Sequence, residues 1–426
     1  MSEHSTTRHT RTTAASGTPV IVVAPDKFKG SLTAREVAQA LADGLQTALP
    51  DAEVRQVPVA DGGEGTVEAA VSAGFSRQSI TVTGPVPGTT VEAAWALRER
   101  AGGGPEAVVE LAQASGIELL PPGELAPGTA TSRGTGEVLA AALAAGARRI
   151  VLGLGGSACT DAGTGMLAAL GAEFLDEHGQ QVPDGGAHLG QVRQVSLAVL
   201  DRRWREVELV LASDVDHPLT GPHGAAAVFG PQKGLTEDDV PAYDASIAQV
   251  AEFVAEAAGR QGGPEAQRRV LDTVTQPGAG AAGGAGFAAL AVLGAQRRRG
   301  IEVVLELARI DDALTGADLV LTGEGSLDEQ SLEGKTPVGI ADAAARHGLP
   351  VEAVCGRTLL SPEQASEAGI RRVWALSDRE PDVEQSMRRA AELLRQVGRE
   401  IAESFERFSS VTTPVTVPGA PDRLED

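Results

Sequence analysis

The sequence predicts an α/β fold built from two domains, and three observations support this. Near both ends of the chain, apolar runs typical of buried parallel strands are followed by helical patterns. From about residue 79 to residue 110 the pattern changes to short β-like runs between Gly and Pro turns, which is typical of an antiparallel or mixed sheet. At 426 residues the chain is long enough for two or three domains.

The first strand and helix open the parallel-sheet domain. Residues 20–24 are all apolar, and residues 33–49 carry apolar side chains at helical spacing. Thr33 followed by Glu36 fits a capping box at the helix start. The loop between them lies where open α/β sheets bind ligands. It carries three charged residues, Asp26, Lys27 and Lys29.

A second strand is predicted at residues 53–59, followed by the sequence ADGGEGT and another helix. Asp61 and Glu64 stand among these glycines. Such a pair can coordinate Mg²⁺ or accept a hydrogen bond from a substrate hydroxyl. The alternative is a turn whose acidic residues are favoured by the dipole of the following helix.

Two stretches in the middle of the chain are candidates for anion binding. Ser132 and Arg133 precede a helix predicted from about Thr135, and backbone N–H groups at a helix start bind anions. A strand at residues 150–154 is followed by a glycine-rich turn, in which Gly155, Gly156 and Ser157 could cradle phosphates. This turn also fits the dinucleotide pattern GxGxxG/A, which would indicate an oxidoreductase. The same pattern recurs at residues 278–283, so the match is weak.

Residues 213–234 follow a strand predicted at residues 207–212 and are unusually long for a simple connection. The segment contains two carboxylates, two imidazoles and a lysine: Asp214, Asp216, His217, His223 and Lys233. It is either a solvated surface loop or a loop that holds functional groups. The histidines lack the HExxH spacing of a helical zinc site.

The last third of the chain completes the parallel sheet. Helices are predicted at residues 243–258 and 301–314, and a buried strand at residues 317–322. The strand leads into GEGSLDEQSLEGKTP, which carries Glu324, Asp328 and Lys335. This is not a Walker A motif, because Glu329 occupies the position that the motif reserves for glycine. Two further strand–helix units follow.

Composition limits the possible partners. The formal net charge of −22 argues against nucleic acid and anionic membranes, which need basic surfaces. Two cysteines cannot form a disulfide framework, and neither a signal core nor a membrane-spanning run is seen, so we expect a cytoplasmic protein. Residues 1–18 and 409–426 are expected to be disordered. The sequence does not predict the oligomeric state.

Lysine is rare in this chain, and its positions are informative. Lys and Arg together number 36, yet lysine occurs at four positions, all in turn segments: Lys27, Lys29, Lys233 and Lys335. A compact ammonium suits phosphate oxygens better than a wide guanidinium does. With carboxylates after several strands, these lysines indicate phosphoryl transfer, which needs cations, Mg²⁺ ligands and a base. Chance placement is the alternative.

Eight motifs, in this order, closely resemble the bacterial glycerate kinases of type I: APDKFKGSLTA, VPVADGGEGT, TSRGTGE, GLGGSACTDAGTGM, SDVDHPLTG, FGPQKG, PGAGAAGGAGFA and LTGEGSLDEQSLEGKTP. The resemblance implies phosphorylation of D-glycerate with ATP and Mg²⁺, giving 2-phosphoglycerate or 3-phosphoglycerate. It implies a flavodoxin- or Rossmann-like domain from residues 19–75 and 290–405. An α/β domain of residues 76–289 is inserted, and the active site lies in the cleft between the two.

The resemblance also suggests roles for individual residues. We expect the catalytic groups to be Asp214, Lys233 and Lys29. We expect the substrate to be bound by Asp26, Lys27, Asp61, Ser132, Arg133 and His217. We expect ATP at Gly155, Gly156, Ser157 and Lys335, and Mg²⁺ at Glu324 and Asp328. His217 departs from the asparagine usual in the family. The alternatives are a kinase for another small hydroxy acid and a non-catalytic sensor of glycerate or nucleotide.

Overall fold

A computed structural model describes residues 18–411, apart from Ala101, Asp201 and Glu333. The predicted N-terminal extension lies outside the described residues except for Thr18. The last helix continues to Val411, so the first three residues of the predicted C-terminal tail are helical. Among the described residues, no helix is long and apolar enough to cross a membrane.

Thirteen strands are present in the described part of the chain. They are β1 (Val20–Pro25), β2 (Glu53–Gln56), β3 (Ser76–Thr83), β4 (Thr90–Arg98), β5 (Glu106–Glu110), β6 (Arg149–Gly153), β7 (Glu173–Leu175), β8 (Gln194–Ser196), β9 (Glu208–Ala212), β10 (Gln296–Arg298), β11 (Leu319–Leu327), β12 (Val351–Thr358) and β13 (Arg372–Ala375).

The α-helices of the described residues lie between and after these strands. They are α1 (Ala34–Ala48), α2 (Thr66–Ser72), α3 (Ala112–Ser115), α4 (Arg133–Ala144), α5 (Thr164–Ala169), α6 (Ala225–Phe229), α7 (Val240–Thr273), α8 (Ala285–Phe287), α9 (Gly300–Leu307), α10 (Ile310–Leu314), α11 (Glu329–Leu332), α12 (Thr336–Arg346), α13 (Pro362–Glu367), α14 (Val383–Arg388) and α15 (Ala390–Val411).

The first domain is a five-stranded parallel sheet formed by both ends of the chain, in the order β13-β12-β11-β1-β2. This is the flavodoxin-like order, and its switch point lies between β1 and β11. Alternate residues of β1 enter opposite cores: Ile21 and Val23 pack with α1 and α15, whereas Val22 and Ala24 pack with α9 and α12. The predicted parallel-sheet domain is confirmed.

The second domain contains a six-stranded mixed sheet in the order β10-β9-β6-β5-β4-β3. Strands β3, β4 and β5 pair antiparallel, and β5, β6, β9 and β10 pair parallel. The change of pattern after residue 79 therefore marks a real change of sheet type. A separate antiparallel pair, β7 and β8, lies in the same domain.

Two elements close to the predicted domain boundaries contact the sheet of the other domain. Helix α2 lies before residue 76, and its Ala69 packs in the core of the first domain, whereas its Val67 and Ala70 pack on the second sheet. Strand β10 lies after residue 290, yet it pairs with β9 of the second sheet. Which sheet α2 and β10 contact is decided by tertiary packing, which cannot be read from the sequence.

Helix α9 belongs to the cores of both domains. Ile301 and Val304 pack in the first domain, whereas Val303 and Leu307 pack on the second sheet. The single predicted helix at residues 301–314 is in fact α9 and α10. They are separated at Arg309, which has a left-handed backbone with φ of 52°.

Candidate active site

A cleft of about 520 Å³ lies at the carboxyl edge of the first sheet. It sits at the switch point, where β1 and β11 run side by side and the Asp26 N–H donates to the Gly323 carbonyl oxygen at 2.8 Å. Many predicted site residues line it: Asp26, Lys27, Lys29, Asp61, Glu324, Asp328 and Lys335. The structure thus brings together residues that lie about 300 positions apart in the sequence.

Asp26 is the most strongly perturbed carboxyl group of the cleft. Its Oδ1 accepts from the Lys27 N–H at 2.6 Å, and its Oδ2 accepts from the Thr336 hydroxyl at 3.1 Å. Burial, and then the negative charge of Asp61, raise its pKa to about 7. A carboxylate with such a pKa is suited to exchange a proton near neutral pH.

Glu324 faces the same cleft from β11. The predicted strand ended at residue 322, but β11 continues to Leu327, so Glu324 lies on a strand and not in a loop. Burial raises its pKa, and the charges of Asp328 and Asp61 act in the same direction. Its Oε1 is buried without a hydrogen-bond partner among the described residues. A buried carboxylate oxygen of this kind needs a cation or a donor.

Three of the four lysines are at this cleft. Lys27 donates to the Glu64 carboxylate at 2.6 Å. Lys29 is exposed and forms no hydrogen bond or ion pair with the described part of the chain. Lys335 is the N-cap residue of α12, and its ammonium lies 3.4 Å from the Gln330 side-chain oxygen. The cleft therefore offers both ammonium groups and a helix N-terminus to an anion.

The glycine loop, residues 154–159, reaches this region from the second domain. A Cβ on Gly155 would lie 2.6 Å from the Gly63 Cα, so the absence of a side chain allows the loops of the two domains to touch. The backbone N–H groups of Gly155, Gly156 and Ser157 donate to no acceptor among the described residues. They could therefore bind an anion, and their role in phosphate binding stays a prediction.

Asp214 follows β9 and lies beside the same loops. Its Oδ1 accepts from the Gly300 N–H at 3.1 Å, at the start of α9. Gly300 also packs so closely on Asp61 that a Cβ there would lie 2.0 Å from the Asp61 carbonyl oxygen. Desolvation, assisted by the charge of Asp61, raises the pKa of Asp214. Asp214 therefore lies near the carboxylates of the cleft but does not line the cleft itself.

Lys233 does not occupy the predicted position on a phosphate. Its side chain is buried, with 2% of its surface exposed. The ammonium donates to the Ser157 hydroxyl at 2.7 Å and to the Cys159 carbonyl oxygen at 2.6 Å. Desolvation lowers its pKa. Lys233 therefore supports the glycine loop from within the second domain, and the Ser157 hydroxyl is engaged in that support.

Ser132 and Arg133 were predicted to bind an anion, but their side chains instead bind other residues of the second domain. Ser132 is fully buried, and its hydroxyl donates to Asp161 at 2.8 Å and accepts from the Met166 N–H at 2.9 Å. Arg133 forms a bidentate ion pair with Asp184. Ser132 cannot reach a substrate in this arrangement, and Arg133 could do so only by leaving Asp184.

His217 also has a local role. Its Nδ1 lies 3.0 Å from the His223 carbonyl oxygen, and its ring packs edge-on against Phe229 at 5.2 Å between centroids. Residues 213–234 are not a plain loop, since they contain α6 and a short 3₁₀ turn at Pro231–Lys233. The segment is structured around its own side chains, and His217 does not line the cleft.

Several cleft residues were missed by the sequence analysis. Arg357 is the second-last residue of β12 and donates to the Ser326 hydroxyl at 3.2 Å. It could have been found by the same search for charged residues at strand ends that found Asp26. Thr336 does not line the cleft but its hydroxyl donates to Asp26, and it could have been suspected as part of the GKT sequence. Val383 and Met387 carried no signal, because nothing in a short amphipathic segment indicates that a ligand cleft lies beside it.

No three His, Cys, Asp or Glu side chains within the described residues are grouped closely enough to hold a metal ion alone. This does not conflict with Mg²⁺, which is usually held by one or two carboxylates together with waters and substrate phosphates. The unpartnered Glu324 oxygen and the adjacent Asp328 fit that pattern. With the lysines and free backbone N–H groups, the arrangement can bind and polarise a phosphoryl group.

Comparison with known proteins decides the family. The model of the glycerate kinase family matches residues 21–406. The chain belongs to the glycerate kinase family. It is 42% identical to the glycerate kinase of Bacillus subtilis (strain 168) over 387 residues, which cover 91% of this chain and 97% of the relative. It is 39% identical to the glycerate 2-kinase of Escherichia coli (strain K12), over 90% of this chain and 97% of that protein.

A solved structure agrees with this assignment. The crystal structure of putative glycerate kinase 2 from Salmonella typhimurium LT2 superposes with a TM-score of 0.77 at 38% identity, covering 92% of this chain and 100% of that chain. Membership of the glycerate kinase family confirms the predicted resemblance and the two-domain α/β fold. The chain is accordingly an enzyme of the kinase class.

Proposed function

We propose that this kinase phosphorylates D-glycerate with ATP and Mg²⁺ in the cleft at the carboxyl edge of the first sheet. The observation that carries the proposal is the juxtaposition of Asp26, Asp61 and Glu324 with Lys27 and Lys335 in one cleft. Phosphoryl transfer depends on positioned cations and carboxylates of this kind. The names of the relatives from Bacillus subtilis and Escherichia coli support glycerate as the acceptor.

Mg²⁺ would be held by Glu324 and Asp328, together with phosphate oxygens. When bound, the ion neutralises charge on the transferring phosphoryl group. Lys27, Lys29 and Lys335 would contact phosphates or the glycerate carboxylate. The N–H groups of residues 155–157 would bind the remaining phosphate oxygens from the opposite domain.

Asp26 is the group best suited to take the proton from the acceptor hydroxyl. It lines the cleft, and its raised pKa of about 7 matches that of an efficient general base. Asp214 is the second candidate for the base. Its carboxylate accepts a hydrogen bond from the Gly300 N–H, which favours a positioning role for this residue. Lys233 acts through the glycine loop and is a positioning residue.

We propose the 2-hydroxyl as the acceptor, because the related Escherichia coli protein is a glycerate 2-kinase. The test is a coupled ADP-release assay with D-glycerate, tartronate and glycolate, followed by ³¹P NMR of the product. D-glycerate is expected to give the highest turnover and a single 2-phosphoglycerate resonance. A preference for another hydroxy acid would assign a different acceptor, and a 3-phosphoglycerate signal would reject the proposed position of transfer.

A further inference from the structure

The lining of the cleft contains two chemically different sets of residues. One set, described above, is charged and includes Asp26, Asp61, Glu324 and the lysines. The other set is apolar and comprises Phe28, Leu376, Val383, Met387 and Ala390, which we call the apolar shelf; Ser377, Glu380, Pro381 and Ser386 of the same chain segment also line the cleft. A small hydroxy acid and one phosphoryl group have no apolar surface that would need such a shelf.

The apolar shelf is an exception on this protein surface. Val383 is 64% exposed and Met387 is 39% exposed, and both are among the few large hydrophobic residues that the described surface leaves open. They lie four residues apart on α14, so they are on the same face of that helix. That face borders the cleft. Apolar side chains exposed together at a cleft usually mark a binding surface.

The shelf is also fixed in position. The Ser31 hydroxyl donates to the Met387 carbonyl oxygen at 2.8 Å, which ties α14 to the loop between β1 and α1. In the same loop, Gly30 has φ of 75°, and a Cβ there would lie 3.0 Å from the terminal methyl of Met387. The loop that carries Lys27 and Lys29 therefore also contacts Met387 of the apolar shelf.

We propose that the apolar shelf is the subsite for the purine base of the nucleotide. The inference rests on the proposed function, since it takes ATP as the phosphoryl donor. A nucleotide joins a flat, largely apolar base to a polyanion, and the lining of the cleft offers both an apolar surface and cationic groups. A volume of about 520 Å³ lies within the range of pockets that enclose molecules of this size. Val383 and Met387 would then contact the base directly.

The test measures ligand binding without glycerate, by isothermal titration calorimetry with ADP and with inorganic tripolyphosphate. The double variant Val383→Ser/Met387→Ser removes the apolar surface from a solvent-facing helix. Val199→Ser is the matched control, because Val199 is 68% exposed and does not line this cleft. We expect the double variant to raise the Kd of ADP about tenfold, to leave the Kd of tripolyphosphate unchanged, and the control to behave as the wild type.

Two outcomes would overturn the inference. The first is an unchanged Kd of ADP in the double variant. The second is an equal loss of ADP and tripolyphosphate binding, which would indicate general damage to the cleft. If ADP binding responds as expected but D-glycerate is not phosphorylated, the base subsite stands and the proposed acceptor is wrong. If the wild type binds neither ADP nor ATP, both proposals fail.

Discussion

Replacement of Asp26 by asparagine is expected to have opposite effects on activity and stability. Asp26 is held in the cleft by the Lys27 N–H and the Thr336 hydroxyl, and asparagine preserves the size of the side chain. As the proposed base, its loss should lower kcat by about 100-fold or more. The same substitution removes a carboxylate whose ionisation is unfavourable in the folded protein.

The size of the stability effect follows from the pKa. The ordinary value of 3.8 rises to about 7, a difference of about three units. At about 1.4 kcal/mol per unit, ionised Asp26 costs the folded state about 4 kcal/mol as an upper estimate.

The sign of the pH dependence is fixed by the raised pKa. Below pH 3.8 the carboxyl group is neutral in both states and has no cost. As the pH rises from about 4 to 7, the unfolded chain releases the proton but the folded protein retains it, so the wild type becomes less stable. Above pH 7 the difference is constant. The advantage of Asp26→Asn over the wild type should therefore grow by about 3 kcal/mol between pH 5 and pH 8.

Urea unfolding of both proteins at pH 5 and pH 8, in the presence of a chelator, measures this difference. Chelation matters because a bound cation would itself lower the pKa of Asp26. A stability advantage that is equal at the two pH values would show that the pKa of Asp26 is not raised. Full catalytic activity in Asp26→Asn would reject the base assignment independently.

Three further predictions concern the glycine loop and Arg133. Lys233→Met leaves two buried acceptors unpaired and should lower the free energy of unfolding, measured with urea, by about 2–4 kcal/mol. It should also weaken ADP binding, and an unchanged ADP affinity would contradict the proposed role of Lys233 in supporting the glycine loop. Gly155→Ala should reduce both stability and kcat because its methyl group meets Gly63, whereas the uncrowded control Gly103→Ala should not; equal behaviour of the two would refute this. Arg133→Gln should leave the KM for D-glycerate within about twofold by steady-state kinetics, because Asp184 already holds the guanidinium; a large rise in KM would restore Arg133 as a substrate ligand.

The sequence was most informative where charged residues followed a predicted buried strand. Asp26, Lys27 and Glu324 were found because parallel strands end at one edge of a sheet, and that edge is where the cleft lies. The rarity of lysine added Lys29 and Lys335. These inferences needed no knowledge of side-chain direction, since position along a strand was sufficient.

The sequence-based predictions failed where they depended on the direction in which a side chain points. A lysine in a turn can point to solvent or into the domain, and nothing local indicated that Lys233 is buried against Ser157. Ser132 precedes α4 and Arg133 is its first residue, but Asp161 and Asp184, which lie about 30 and 50 residues further on, occupy their polar groups. The choice of partner was made by the tertiary fold. The contacts of α2 and β10 with the second sheet could not be predicted for the same reason, because they are decided by the tertiary fold.

Helix α9 gives the enzyme a mechanical constraint. Its two apolar faces are embedded in different domains, and its first residue, Gly300, is bonded to Asp214 and pressed against Asp61. The two domains therefore share one helix, and any change in their relative position would have to be accommodated by the packing around α9 and by the contacts of Gly300 with the two aspartates. We therefore expect that smaller side chains at Val303 or Leu307, which pack on the second sheet, would loosen this link between the domains and lower turnover.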